Sequence, residues 1–168
     1  IRIVQVATGN AGRIALTQLI DDPRFEVVGL VVSDPAKVGL DAGALALADG
    51  VERVTGVHAV GDLATALAMR PDCVVYCALA ETRFFEALED LKTCLAAGAN
   101  VVATSPVPML YPWGLLPDSM IEPYEELCRE HGVSLFVSGV DPGWANDLLP
   151  LVLSGSCEYI DSIRMMEI

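Results

Sequence analysis

The sequence predicts an α/β protein built on a doubly wound, mostly parallel sheet. Apolar runs of strand length alternate with helical patterns along the chain. Most of these runs have no polar alternate face, which is typical of parallel strands covered by helices on both sides. The first run breaks at glycines and restarts directly as an amphipathic helix. The chain is therefore expected to open with a strand, a tight turn and a helix.

The individual elements follow from apolar periodicity and from residues that start or stop helices. Asp62 can cap the helix after it, and Gly98 and Gly132 stand where a left-handed residue ends a helix. The predicted strands cover residues 2–7, 26–32, 56–60, 73–78, 100–104, 134–138 and 159–168. The predicted helices cover residues 11–21, 43–49, 62–70, 83–97, 118–131 and 144–154. This alternation implies right-handed crossovers and an open sheet.

The composition limits the function classes. With 168 residues, of which 53% are apolar, the chain can bury one substantial core. A net charge of −13 with only ten Lys and Arg argues against nucleic acid as a partner. No apolar run approaches a membrane span and no basic n-region precedes an apolar h-region within the sequence, so a soluble, cytoplasmic protein is expected. Five cysteines without CxxC spacing favour reduced thiols, and no metal site is predicted.

The turn in "VQVATGNAGRIALTQLI", residues 4–20, is a candidate phosphate-binding turn. Ala7, Gly9 and Gly12 occupy the three glycine positions of the dinucleotide pattern G-x-G-x-x-G, so the first glycine is replaced. The pattern alone is weak, but it follows the first strand and opens a helix, as the pattern requires. The alternative is an ordinary strand-to-helix turn that binds nothing.

The end of the second strand should select the cofactor. In "VVSDPAKVG", Ser33 with Lys37 would accommodate the 2′-phosphate of NADP, whereas Asp34 facing the ribose would favour NAD. The sequence favours NADP, with NAD as the open alternative. A plain turn made by Asp34 and Pro35, with Lys37 in solvent, is equally compatible with these residues.

The chain also resembles a known family. Its motifs, in order, are "TGNAGRIAL", "SDPAKVGLDAGAL", "ANVVATSPVPMLYP" and "SGVDPGWANDLLPLVLSG". Together they resemble the N-terminal cofactor domain of the dihydrodipicolinate reductase-like family, and more narrowly the branch with 2,4-diaminopentanoate dehydrogenase and the native amine dehydrogenases. The resemblance implies a Rossmann NAD(P)-binding domain over residues 1–157. Residues 158–168 would be a strand leading into a C-terminal α/β domain that binds substrate and makes a homodimer or tetramer.

The resemblance also implies an activity and a set of site residues. The activity is hydride transfer between NAD(P)H and the C=N or C–N bond of a small imine or amine. The pyrophosphate turn would consist of Gly9, Asn10, Ala11, Gly12, Arg13 and Ile14, with Ser33 and Lys37 near the adenosine ribose. Cys77, Ala78 and Leu79 would lie beside the nicotinamide ribose, and Thr104 and Ser105 beside the nicotinamide. The substrate cleft would be approached by Asp141, Pro142, Gly143 and Asn146, although Asp-Pro-Gly is also ordinary turn chemistry.

One departure from the resemblance concerns the acid–base group. The amine dehydrogenases carry a glutamate after the strand at 100–104, whereas "TSPVPMLYP" contains no carboxylate. Glu81 is a weak candidate for that role, because a carboxylate is what would accept a proton from an ammonium group. Two alternatives stay open: a nucleotide-binding sensor or scaffold with impaired catalysis, and a Rossmann-type lyase or isomerase that holds its cofactor tightly.

Overall fold

A computed structural model describes residues 1–47 and 50–166 of the chain. It contains two compact units, Ile1–Val137 and Ser138–Ile168. In the first unit, five strands form one parallel sheet: β1 (Arg2–Val6), β2 (Glu26–Val31), β3 (Cys73–Tyr76), β4 (Asn100–Ala103) and β5 (Leu135–Val137). Their spatial order is β2-β1-β3-β4-β5, and every pair is parallel. The predicted doubly wound α/β fold is confirmed.

Four helices of the first unit connect these strands: α1 (Asn10–Asp21), α2 (Leu63–Leu67), α3 (Phe84–Ala96) and α4 (Asp118–His131). The predicted helix signals act as expected. The Asp62 carboxylate accepts a hydrogen bond from the Thr65 amide at 2.7 Å, and Gly98 and Gly132 have φ angles of 77° and 66°. Polar capping and left-handed glycines therefore fix the ends of three helices.

The core lies on both faces of the sheet, as a parallel sheet requires. On one face, Val4 and Tyr76 pack with Leu91 of α3, and on the other Leu30 packs with Leu16 of α1. All five side chains are fully buried. The strand order reverses between β1 and β3, so the crevice beyond their carboxyl ends is the expected ligand position.

Three predicted elements are wrong in the described residues. At 56–60 the chain forms only isolated bridges, at His58 and Val60, because the Asp41 carboxylate binds the amides of Thr55 and Gly56 and draws this segment into a loop. Where a helix was predicted at 43–49, the structure has a short 3-10 turn, Gly43–Leu45. The Gly43 amide donates to the Asp41 carboxylate at the start of this turn. Residues 48 and 49 lie outside the described chain.

The third error is the strand predicted at 159–168. Residues 159–166 form no strand and take part in no ladder, and residues 167 and 168 lie outside the described chain. An apolar pattern alone does not make a strand, because a strand also needs a hydrogen-bonded partner. The predicted division into residues 1–157 and 158–168 stays a prediction, while the compact units divide after Val137.

The second unit is short and mainly helical. Val140–Leu148 form a wide helical turn whose backbone angles are non-helical at residues 141–143. The helix α5 (Leu149–Ser154) continues it. Among the described helices of the whole chain, none combines the length and apolar character that a membrane crossing requires.

Candidate cofactor-binding site

A cleft of about 530 Å³ lies at the carboxyl ends of the strands in the first unit. It is formed by the residues that follow β1, β2, β3 and β4, and so it opens at the point where the strand order reverses. The lining residues are Ala7, Thr8, Gly9, Asn10, Ala11, Val32, Ser33, Asp34, Lys37, Cys77, Ala78, Leu79, Glu81, Thr104 and Ser105. Most are small, so backbone amides and carbonyls line much of the cleft.

The amino end of α1 reaches this cleft without a side-chain cap. Gly9 is the N-cap residue, and no side chain accepts a bond from the first turn, which also lacks an acidic residue. The first intrahelical bond runs from the Arg13 amide to the Gly9 carbonyl at 2.9 Å. The three preceding amides therefore have no intrahelical acceptor. Free amides and the helix dipole together favour an anion at this point.

The turn before α1 is tight, and its two ends nearly touch. Ala7 has a φ of 74°, in the left-handed region that is costly for a residue with a Cβ atom. A Cβ atom at Gly12 would collide with the Ala7 carbonyl oxygen. A Cβ atom at Gly9, by contrast, would meet nothing within 4 Å. Gly12 is thus required by packing within the protein, while the space beside Gly9 belongs to the cleft.

Lys37 is the only cation among the lining residues of this cleft. Its Nζ atom donates to Thr8 Oγ1 at 3.1 Å, so the ammonium group lies over the turn that precedes α1. Asp34 accepts the Ala36 amide at 3.0 Å and caps the 3-10 turn Pro35–Lys37. The Asp34–Pro35 turn considered from the sequence is therefore present, but Lys37 is bonded to Thr8.

The residues that follow β3 and β4 are joined by a hydrogen bond at the floor of the cleft. Ser105 is buried, and its hydroxyl donates to the Ala78 carbonyl at 2.5 Å. Burial raises the pKa of the Cys77 thiol, and a hydrogen bond with Thr104 opposes this effect. The raised pKa favours the neutral thiol over the thiolate, which is the form that a nucleophilic cysteine needs.

Glu81 is exposed at the rim of the cleft. Its carboxylate accepts the Ala80 amide at 3.1 Å. Glu81 and Asp34 are the two carboxylates among the lining residues. Asp34 caps its own turn, and Glu81 lies exposed at the rim.

Most of the residues predicted for the cofactor lie together in the cleft, and three do not line it. Gly12 is buried beneath the turn, and Ile14 is 54% exposed. Arg13 donates from Nε and Nη2 to the Ala46 carbonyl at 3.2 and 3.0 Å, and so braces the neighbouring loop. A role of the Arg13 guanidinium at a phosphate would require these two bonds to break.

The residues predicted for the substrate belong to the second unit. The Asn146 amide donates to the Asp141 carboxylate, and the Gly143 amide donates to Asp147 at 2.8 Å. Pro142 lies between them in an extended conformation. These bonds explain a locally ordered turn, and the predicted role near a substrate stays a prediction.

Sequence reasoning missed two polar clusters near the cleft. Gln5 is fully buried under the turn, where it binds the Ala7 and Gly12 carbonyls. A single polar residue in the apolar run "IVQV" was a detectable signal. The second cluster joins Tyr76, Arg83 and Asp90 and combines residues from separate elements, so no sequence spacing reveals it.

Two members of the second cluster, Arg83 and Asp90, line an adjoining cavity of about 420 Å³. Asp90 accepts bonds from the Tyr76 hydroxyl at 2.8 Å and from Arg83 at 2.9 Å. Burial, followed by the charge of Asp90, raises the pKa of Tyr76, which keeps the phenol protonated. The two cavities share Ala7, Val32, Ser33, Ala78 and Leu79, so they meet at the carboxyl ends of β1, β2 and β3.

Comparisons with known proteins agree with the fold and the resemblance. The chain is 44% identical over 161 residues to an amine dehydrogenase of Streptomyces virginiae, covering 96% of this chain and 44% of that protein. It is 32% identical over 92 residues to the 2,4-diaminopentanoate dehydrogenase of Acetoanaerobium sticklandii, covering 55% of this chain and 25% of that protein. The solved structure of an amine dehydrogenase from Mycobacterium smegmatis matches with a TM-score of 0.76 and 31% identity, over 96% of this chain and 45% of that one.

The resemblance to amine dehydrogenases is therefore confirmed, and the fold is Rossmann-like. No family model matches the chain. The chain spans less than half the length of the relatives it matches.

Proposed function

We propose that the protein is an NAD(P)-dependent oxidoreductase that transfers a hydride to or from the C=N or C–N bond of a small imine or amine. One observation carries the proposal: a cleft at the switch point of a parallel sheet joins the uncapped amino end of α1 to the Lys37 ammonium. Free amides at such a position suit a pyrophosphate, and the cation suits a further phosphate group of the cofactor. The similarity to amine dehydrogenases supplies the reaction class.

The dinucleotide would lie across the carboxyl ends of the strands. Its pyrophosphate would meet the amides of Asn10 and Ala11, and its nicotinamide would lie beside Thr104 and Ser105. The adenosine end would enter the adjoining cavity, where apolar side chains and the Arg83 guanidinium offer a flat ring both packing and a cationic partner. The bound cofactor supplies the hydride, while the residues of this chain bind and orient it.

We propose NADP as the preferred cofactor and NAD as the alternative. Ser33 is exposed at the cleft, Asp34 is engaged in its own turn, and Lys37 is the cation that faces the cleft. A 2′-phosphate near these residues would gain a charge-assisted bond. The experiment is a thermal-shift comparison of NADPH and NADH. A larger rise in melting temperature with NADPH is expected, and no rise with either cofactor would contradict the proposed function.

The proton-transfer step provides a second test. If Glu81 takes a proton from the amine, Glu81→Gln should lower kcat for amine oxidation by at least about 10²-fold and leave the cofactor Kd unchanged. The amide oxygen of the introduced glutamine could still accept the bond from the Ala80 amide, so the variant removes only the ability to take up a proton. An unchanged kcat would exclude Glu81 as the base.

A nucleotide-binding sensor is the second candidate function. It is favoured by a specific observation: the cleft-lining segment after β4 brings Thr104 and Ser105 but no carboxylate. A sensor would bind cofactor and oxidise no amine, as judged by nicotinamide absorbance with a panel of primary amines. We propose further, from the resemblance, that the protein acts in the cytoplasm as a homodimer or tetramer, which light scattering can test.

A further inference from the structure

Gln5 is an unusual residue for the centre of a parallel sheet. It lies on β1, and its side chain is fully buried. Its Nε2 atom donates to two carbonyl oxygens, that of Ala7 at 3.1 Å and that of Gly12 at 2.5 Å. Two carbonyl acceptors require the NH₂ end of the amide, so the orientation of the side chain is determined.

The two acceptors stand at opposite ends of the candidate phosphate turn. Ala7 opens the turn, and Gly12 lies in the first turn of α1. A single amide group therefore ties together the backbone on both sides of Gly9 and Asn10. Gln5 does not itself line the cleft, so any effect on a ligand must act through this backbone.

The amide gains nothing else from its position. Its Oε1 atom is the one buried side-chain oxygen or nitrogen without a hydrogen-bond partner in the described part of the chain. Burying an unpaired polar atom costs free energy that an apolar side chain of equal length would avoid. The contribution of this amide is therefore confined to its two bonds to the turn.

Those bonds act where the turn is strained. Ala7 has a left-handed conformation that glycine adopts freely and alanine does not. The Ala7 carbonyl accepts the bond from Gln5 and lies so close to Gly12 that a Cβ atom would not fit there. An unbraced Ala7 would relax toward a negative φ and would move the amides that follow it.

We propose that Gln5 is a positioning residue that holds the turn in its ligand-binding conformation and so compensates for alanine where the dinucleotide pattern has glycine. The inference rests on the proposed function, since the ligand is the pyrophosphate of NAD(P). It goes beyond that function because it couples a buried residue to cofactor affinity. Because Gln5 would act on cofactor affinity through the backbone of Ala7, glycine at position 7 should restore the affinity that is lost in Gln5→Met.

The test is a double-mutant cycle on the protein, with cofactor Kd measured by titration and melting temperature measured without cofactor. Gln5→Met keeps the length of the side chain and removes both donors. It should raise the Kd for NADPH by about tenfold, which corresponds to one hydrogen bond of about 1.4 kcal/mol. Ala7→Gly alone is the second single variant of the cycle, and adding Gln5→Met to Ala7→Gly should raise Kd much less than adding Gln5→Met to the original protein.

A matched control separates bracing from ordinary stability. Thr17 is also buried on α1 and makes two bonds, to the Arg13 carbonyl at 2.8 Å and from the Leu47 amide at 2.9 Å. Thr17→Val should lower the melting temperature, leave Kd unchanged and gain nothing from Ala7→Gly. If Gln5→Met does not fold, the double variant should fold and bind.

The outcomes are distinct. If the original protein binds neither NADPH nor NADH, the proposed function fails. The melting temperatures of Gln5→Met and Ala7→Gly then still test whether Gln5 holds the turn, because the two changes should be non-additive. If the original protein binds but Gln5→Met leaves Kd unchanged, the inference about Gln5 is wrong. A lowered affinity that Ala7→Gly does not restore also overturns it.

Discussion

Single residues decide whether the turn after β1 can accept a pyrophosphate. Gly12 is needed because the Ala7 carbonyl leaves no room for a side chain, whereas Gly9 borders open space in the cleft. The sequence predicts both glycines as parts of one pattern. The structure separates them, because Gly12 is required by packing within the protein and Gly9 borders the open cleft.

Alanine at these two positions should therefore affect different properties: cofactor affinity at Gly9 and stability at Gly12. Gly9→Ala should leave the free energy of unfolding within about 1 kcal/mol, because a Cβ atom meets nothing there and φ is −72°. It should weaken cofactor binding by about tenfold or more, since a methyl group would take the place of a phosphate oxygen. Gly12→Ala should destabilise the free protein by about 2 kcal/mol or more. Denaturant unfolding and cofactor titration measure both, and unchanged affinity in Gly9→Ala would contradict the assignment.

Lys37 should distinguish the two cofactors. Lys37→Ala is expected to raise the Kd for NADPH by about tenfold, because a charge-assisted bond contributes about 1.5–3 kcal/mol. The Kd for NADH should change less. Lys92→Ala is the control, since Lys92 pairs with Glu89 on α3 and does not line the cleft. Equal losses for both cofactors would place Lys37 at the pyrophosphate instead.

At the scale of elements, the most predictable features are those specified by short-range chemistry. The bounds of α4, 118–131, were predicted without error because Gly132 and the apolar periodicity mark them locally. The segment at 56–60 was not predictable in the same way. Its conformation depends on Asp41, fifteen residues earlier, whose carboxylate receives bonds from the amides of Gly43, Thr55 and Gly56.

Asp41 should make this loop sensitive to acid. Burial raises the pKa of Asp41, but three backbone amides and the Thr55 hydroxyl outweigh it, so the pKa is lowered in the folded state. A lowered pKa stabilises the fold above the unfolded value of about 3.9 and loses that contribution as the pH falls through the folded value. Asp41→Asn should cost about 1–3 kcal/mol at neutral pH. Its unfolding free energy should then fall less than that of the original protein below about pH 4. An equal acid dependence in both proteins would exclude Asp41 as a contributor.

For the whole molecule, the sheet and its switch point could be predicted from the alternation of apolar strands and helices. The site was predicted only in part. Residues that line the cleft follow strands and can be found by position, and Gln5 left a signal as a polar residue in an apolar strand. The contacts of Arg83 with Tyr76 and Asp90 join separate elements, and no spacing in the sequence reveals them. The strand predicted at 159–168 shows the same limit. Its apolar pattern is suited to a strand, but a strand also needs a partner, and residues 159–166 take part in no ladder.

The acidic character of the molecule makes the local arrangement of the cleft decisive. With a net charge of −13, the protein as a whole repels an anionic cofactor, so binding must come from short-range donors. The uncapped end of α1 and Lys37 supply those donors. The most direct test is therefore a calorimetric titration of the protein with NADPH. We expect saturable binding of one NADPH per chain, with a weaker affinity in Gly9→Ala. The absence of NADPH binding up to about 1 mM would contradict the proposed cofactor site.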